Sequence, residues 1–121
     1  MTAQADYQAI FAELRGVQLG AVTFVQDYLQ LHFDGPVINV TSPLTVITSS
    51  GTRTAWQPGF RDLLCGQIAK LVQAVEHRAG EALILRFDDG SSLSITLRPE
   101  DYLSTEAYYA HGFASETWQV E

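Results

Sequence analysis

A β-rich α+β fold follows from three features of this 121-residue chain. Leu29, Leu31 and Phe33 alternate with Gln30 and His32 ahead of Asp34-Gly35. Leu83, Leu85 and Phe87 alternate with Ile84 and Arg86 ahead of Asp88-Asp89-Gly90. Period-two alternation buries one face of a strand, and Asp and Gly tolerate the positive φ of tight hairpin turns. The third feature is a helical stripe near the start: Tyr7, Ile10, Phe11 and Leu14 fall at i, i+3, i+4 and i+7.

The elements follow in order. Gly16 ends the first helix by taking a left-handed conformation. Val17 to Val25 is small and β-branched and reads as a strand, Gln26-Asp27 turns the chain into the Leu29 strand, and Val37 to Thr41 returns from Asp34-Gly35. Pro58 opens a second helix whose apolar face is Phe60, Leu63 and Leu64 and whose stop is Gly66. The run holding Ile68, Leu71, Val72 and Val75 comes next, then the turn Ala79-Gly80, the Leu83 strand and a return strand through Leu93, Ile95 and Leu97.

Laid side by side, residues 7–43 and 58–99 read as one helix, strand and hairpin unit repeated, with a tail at 100–121. The expectation is one domain over 1–121, in which the two hairpins share a core and close into a small barrel or sandwich plugged by the first helix.

The string from Leu29 to Val40, Leu-Gln-Leu-His-Phe-Asp-Gly-Pro-Val-Ile-Asn-Val, resembles the first motif of Sm-like proteins. The resemblance implies a small bent-strand barrel after an N-terminal helix, assembly into rings, and RNA binding with Asp34 and Asn39 near the RNA-facing loop. The general look of the chain also resembles small bacterial proteins to which no activity is attached. Charge argues against the RNA part: the formal net charge is -7, and a phosphate backbone would meet long-range repulsion.

The excess of acid lies late in the chain, with four acids against two bases in residues 1–60 and ten against five in 61–121. An acidic surface suits a basic protein partner, as in small bacterial immunity proteins that are similar to decoys for basic toxins. One cysteine, Cys65, allows no intrachain disulfide and no cysteine-based metal centre, and its place on an apolar helical face predicts burial. No basic leader and no long apolar run occurs, so cytoplasm is the expected location and a membrane is not an expected partner.

Neither GxGxxG, GxxxxGK[ST] nor GxSxG is present. His32, His77 and His111 lie far apart, so no metal, cofactor or catalytic set is assigned; His32 reads as a solvated strand residue and His111, before Gly112, as a helix-end cap. The segment Thr41 to Gly59 carries one charge, Arg53, among many hydroxyls and reads as a long loop ending at Trp56. Either it merely connects the two halves, or Arg53 and Trp56, with His32, line a cleft for an anionic or aromatic ligand. Tyr102, Tyr108, Tyr109, Phe113 and Trp118 exceed what a core of this size needs. They are expected either to pack the tail as a last helix and strand, or to form the contact of a homo-oligomer. The sequence thus favours a non-catalytic binding or interaction protein, with a small-molecule binding protein or enzyme as the alternative.

Overall fold

The computed structural model describes residues 6–114 and the backbone of 119–120. Helix α1 (Tyr7–Phe11) is capped by Asp6, whose side chain accepts the Ala9 N–H, and tightens into a 3-10 turn over Ala12–Leu14. Strands β1 (Ala21–Val25), β2 (Tyr28–His32) and β3 (Val37–Val40) follow, then β4 (Leu44–Thr48) and β5 (Gly51–Thr54). Helix α2 (Phe60–Cys65) opens the second half, followed by β6 (Val72–Arg78), β7 (Ala82–Phe87), β8 (Ser92–Thr96), a 3-10 turn at Pro99–Asp101, β9 (Tyr108–His111) and β10 (Gln119–Val120).

Among the described residues, ten strands form two antiparallel sheets, in the orders β1-β2-β3-β9-β10 and β5-β4-β8-β7-β6. Among the described residues there is no closed barrel, so the bent Sm-like barrel is not what these strands build. Each half contributes a three-stranded meander, and each meander is extended by a hairpin from the other half. β4 lies against β8 with Leu44 opposite Ile95, while β9 lies against β3 with Tyr108 opposite Val40.

Several hydrogen bonds of the two halves correspond along this arrangement. Gly16 N–H donates to Val72 O at 2.7 Å, and Ala69 N–H to Leu19 O at 2.8 Å. Leu19 N–H donates to Lys70 O at 3.0 Å, and Val72 N–H to Val17 O at 2.9 Å, on either side of the bridge Gln18–Leu71. At the crossing between sheets, Thr41 N–H donates to Ala107 O at 2.9 Å and Thr96 N–H to Pro43 O at 3.2 Å. The hairpin turns match as well, with Phe33 N–H on Pro36 O at 2.9 Å and Phe87 N–H on Ser91 O at 2.8 Å.

Leu29, Leu31, Ile38 and Val40 from one sheet and Leu44, Val46, Leu83, Leu85, Leu93 and Ile95 from the other are all buried in one apolar cluster. Phe11 stands at its α1 end, with the rings of Tyr108 and Phe113 edge-on at 5.5 and 5.2 Å. Asn39 is buried in β3, not in a loop: it accepts Gln30 Nε2–H at 2.7 Å and donates to Tyr109 O at 3.1 Å, tying β2, β3 and β9 together. That pairing removes the RNA-facing role implied for it.

Three substitutions test this arrangement. Gly16 and Ala69 occupy equivalent corners with φ of 82° and 79°, but only Gly16 lacks a Cβ. A left-handed Ala costs about 1–2 kcal/mol, and Gly loses about 0.5–1 kcal/mol of that gain to its greater unfolded-state freedom. Ala69→Gly is therefore expected to raise the urea midpoint by the equivalent of about 0.5–1 kcal/mol. A Cβ at Gly112 would lie 2.4 Å from the Gly35 carbonyl oxygen, whereas one at Gly90 meets open space. Gly112→Ala should cost about 3 kcal/mol or more and Gly90→Ala about 1 kcal/mol by the same measurement; equal losses would contradict the close approach of the β2–β3 turn to the end of β9.

Candidate functional site

The stretch from Thr41 to Gly59 is a hairpin and not a long loop, because its threonines and valine suit strands and Gly51 starts the return. Hydroxyls that read as loop composition are cross-strand and turn pairs: Thr45 with Thr54 at 3.0 Å, Thr48 with Ser50 at 3.0 Å, and Thr48 Oγ1–H on Gly51 O at 3.1 Å. The β4–β5 hairpin is the edge of its sheet and packs near α2, and a groove runs between them.

Arg53 lies in this groove. Its Nη1–H donates to Thr52 O at 2.8 Å and its Nε–H to Pro58 O at 3.2 Å. Positions beside Gly51 and Gly59 where a Cβ would stand come within 3.6 and 3.5 Å of the guanidinium, which is thus seated between two residues that have no side chain. Trp56 packs edge-on against Phe60 at 5.5 Å and Phe24 at 6.2 Å, keeps 40% of its surface exposed, and sits under the Arg61 guanidinium at 5.5 Å. His32 is not with them: it is in β2 of the other sheet, its Nε2 3.0 Å from Thr23 Oγ1.

Three hollows make up the groove. One of about 350 Å³ runs from Trp56 to Asp62, one of about 260 Å³ is bounded by Ser50, Arg53, Gly59 and Asp62, and another of about 260 Å³ by Thr48, Ser49, Ser50, Asp62, Lys70 and Ser91. Asp62 lines all three, so they adjoin at that residue.

At the last of these sits a polar network that sequence reasoning missed. Lys70 Nζ is 2.6 Å from Asp89 Oδ2 and donates to Gln67 Oε1 at 2.9 Å. Ser91 Oγ lies 2.8 Å from Gln67 Oε1 and 2.5 Å from Asp89 Oδ1, so its single proton is shared between two acceptors. Gln67 and Ser91 are buried. The Lys70 ammonium first, then the Ser91 hydroxyl and the Ser91 backbone N–H, hold the Asp89 carboxyl well below the usual carboxylate range. The one sequence signal was the extra residue of Asp88-Asp89-Gly90 over Asp34-Gly35.

Charge is distributed unevenly around the groove. Arg78 and Arg86 are bound to Glu76, Arg98 to Glu100, and Lys70 to Asp89. Arg53 and Arg61, both on the groove wall, have no acidic partner among the described residues.

The tail aromatics correct the expectation of a surplus. Tyr108 and Phe113 are buried against Phe11, because pairing of β9 with β3 carries them into the core. Tyr102 is half-buried with its hydroxyl 3.4 Å from Leu97 O, and Tyr109 is half-buried beside Tyr28, burial first and then Tyr28 raising its phenol above the ordinary value. Trp118 lies outside the described residues. Cys65 is exposed, since Phe60 and Leu64 take the inward face of α2 and the next residue turns away. His111 is a β9 residue opposite Val37 and not a helix cap, and His77 is in β6 with its ring 5.0 Å from Tyr7. Among the described residues no three His, Cys, Asp or Glu side chains converge as metal ligands, and no helix is long and apolar enough to cross a membrane. Compared with known proteins, the chain matches no family model, no curated protein and no solved structure.

The Asp89 network gives a pH dependence of definite sign. A carboxyl lowered in the folded state adds stability above its unfolded pKa of about 3.9 and loses it as pH falls towards the folded value. Urea midpoints measured downward from pH 5 should therefore fall less steeply in Asp89→Asn than in the parent; parallel curves would show that Asp89 titrates alike in both states.

Proposed function

We propose that this chain is a non-catalytic binding protein: two hairpin-exchanged halves of duplicated origin pack their sheets face to face as a scaffold, and the groove between β4–β5 and α2 takes a small anionic ligand. The observation that carries this reading is Arg53. A guanidinium without an acidic partner among the described residues, held by two backbone carbonyls between Gly51 and Gly59, stands in a chain of net charge -7. Its remaining N–H groups form a fork suited to carboxylate or phosphate oxygens, and holding the fork in place beforehand lowers the entropy lost on binding. Trp56 adds a flat apolar face at the neighbouring hollow, and Arg61 above it adds a second positive charge there, beside Asp62. The binding reading is favoured over the enzymatic one because the groove supplies donors and an aromatic face, while the single proton of the Ser91 hydroxyl is already taken up by Gln67 and Asp89.

Phenyl phosphate is a suitable probe, since it unites a dianion with a ring. Titration followed by backbone amide shifts should saturate and should centre on residues 50–62. Arg53→Ala is expected to weaken binding by at least tenfold, and Trp56→Leu by a smaller factor. Shifts that never saturate, or an Arg53→Ala variant that binds as the parent does, would remove this reading.

A further inference from the structure

The two halves of the chain serve as controls for one another, and they differ most at one place. In the first half, the positions equivalent to Gln67, Lys70 and Ser91 are Leu14, Val17 and Pro36, as the matched bonds Val17 N–H to Leu14 O, Lys70 N–H to Gln67 O, Phe33 N–H to Pro36 O and Phe87 N–H to Ser91 O establish. The turn there is shorter, with no counterpart of Asp89. Apolar residues therefore close this corner of the fold without polar help, and Leu14 does so while fully buried. In the second half all the equivalent side chains are polar, and the added residue is the carboxylate that joins them. Burying Gln67 and Ser91 where Leu and Pro suffice carries a desolvation cost that stability alone does not require.

The network also opens onto the groove and is not sealed. The Lys70 side chain keeps 25% of its surface exposed and Asp89 45%, facing the hollow bounded by Thr48, Ser49, Ser50 and Asp62. An ammonium and a carboxylate 2.6 Å apart present a donor beside an acceptor. That spacing matches neighbouring hydroxyls, each of which accepts from one group and donates to the other. Asp62 and Asp89 against Lys70 leave this end with an excess of negative charge, which disfavours a second anionic group here. No aromatic side chain among the described residues lines it. Ser50, Asp62 and Leu63 are shared with the hollow that Arg53 lines, so the two hollows adjoin.

We propose that the Lys70–Asp89–Ser91 end of the groove binds the vicinal hydroxyls of a polyol whose anionic group is held at Arg53, which makes the ligand class a sugar phosphate, a sugar acid or a similar polyol phosphate. The proposal rests on the anion site of the preceding subsection. It adds which chemistry lies beyond the anion.

Calorimetry on the full chain with inorganic phosphate, glucose, glucose 6-phosphate and glycerol 3-phosphate tests the two parts separately. Glycerol 3-phosphate carries a freely rotating diol, so a mismatch of ring stereochemistry does not hide the effect. At least one of the two phosphorylated polyols should bind ten or more times tighter than phosphate. Asp89→Asn and Ser91→Ala should each erase most of that advantage while leaving phosphate affinity as in the parent, a pattern that general loosening of the fold would not give. Ser91→Ala serves alone if Asp89→Asn does not fold. Phosphate bound as well as both phosphorylated polyols overturns the hydroxyl site and leaves the anion site standing. Glucose bound equally by parent and Arg53→Ala, with no gain from its phosphate, overturns the anion site and keeps the hydroxyl site. Binding of none of the four overturns both.

Discussion

Neither three-stranded meander can complete its own sheet, and the rest of the structure depends on that constraint. β3 and β8 each present a row of backbone donors and acceptors that must be paired, and each row is met by a strand from the opposite half. The chain crosses between sheets at Thr41 and Thr96, where each amide donates to the strand arriving from the other side, at Ala107 and Pro43. The buried leucines and valines of both sheets meet in one cluster because the crossings place the meanders against each other. The two pairings that join the halves, β3 with β9 and β4 with β8, are distant in sequence, and the loop-closure entropy of forming them falls on folding as a whole.

The groove is a product of the same exchange. Thr48, Ser50 and Arg53 come from the first half and Asp62, Gln67, Lys70, Asp89 and Ser91 from the second, and they meet only because β4 lies against β8. The opposite corner, where β9 approaches α1, is closed. Phe113 fills it against Phe11, and the Ala114 N–H donates to Glu13 Oε1 at 2.9 Å. Two corners of similar backbone thus end in different ways, one packed with rings and one lined with charges and hydroxyls.

The hairpins at Asp34-Gly35 and Asp88-Asp89-Gly90 and both helices were legible in the sequence, since Leu29 to Phe33 and Leu83 to Phe87 alternate and Phe60 and Leu64 share a helical face; the β4–β5 hairpin was not. The neighbours of each strand were not. Alternation fixes which face of a strand is buried and says nothing of which edge it meets, so the move of β4 to β8 left no local trace. The same gap explains the tail: Tyr108 and Phe113 looked superfluous while their partner, Phe11, lay nearly the whole chain away. Arg53 and Trp56 were singled out because an isolated charge and a tryptophan stand out among hydroxyls. His32 was grouped with them on residue type, and strand pairing separated them. Gln67 and Lys70 escaped notice because each is ordinary in its own segment, and only comparison with Leu14 and Val17 across the two halves makes them unusual.

Exchange of hairpins also bears on what holds the polypeptide together apart from its covalent continuity. The peptide linkage through residues 55–59 is the sole covalent tie between a half that lends β4 and β5 and a half that lends β9 and β10. A protease cut in that linker would leave two interwoven fragments, each clasping the other by a pair of strands, and they would part only if both sheets came apart.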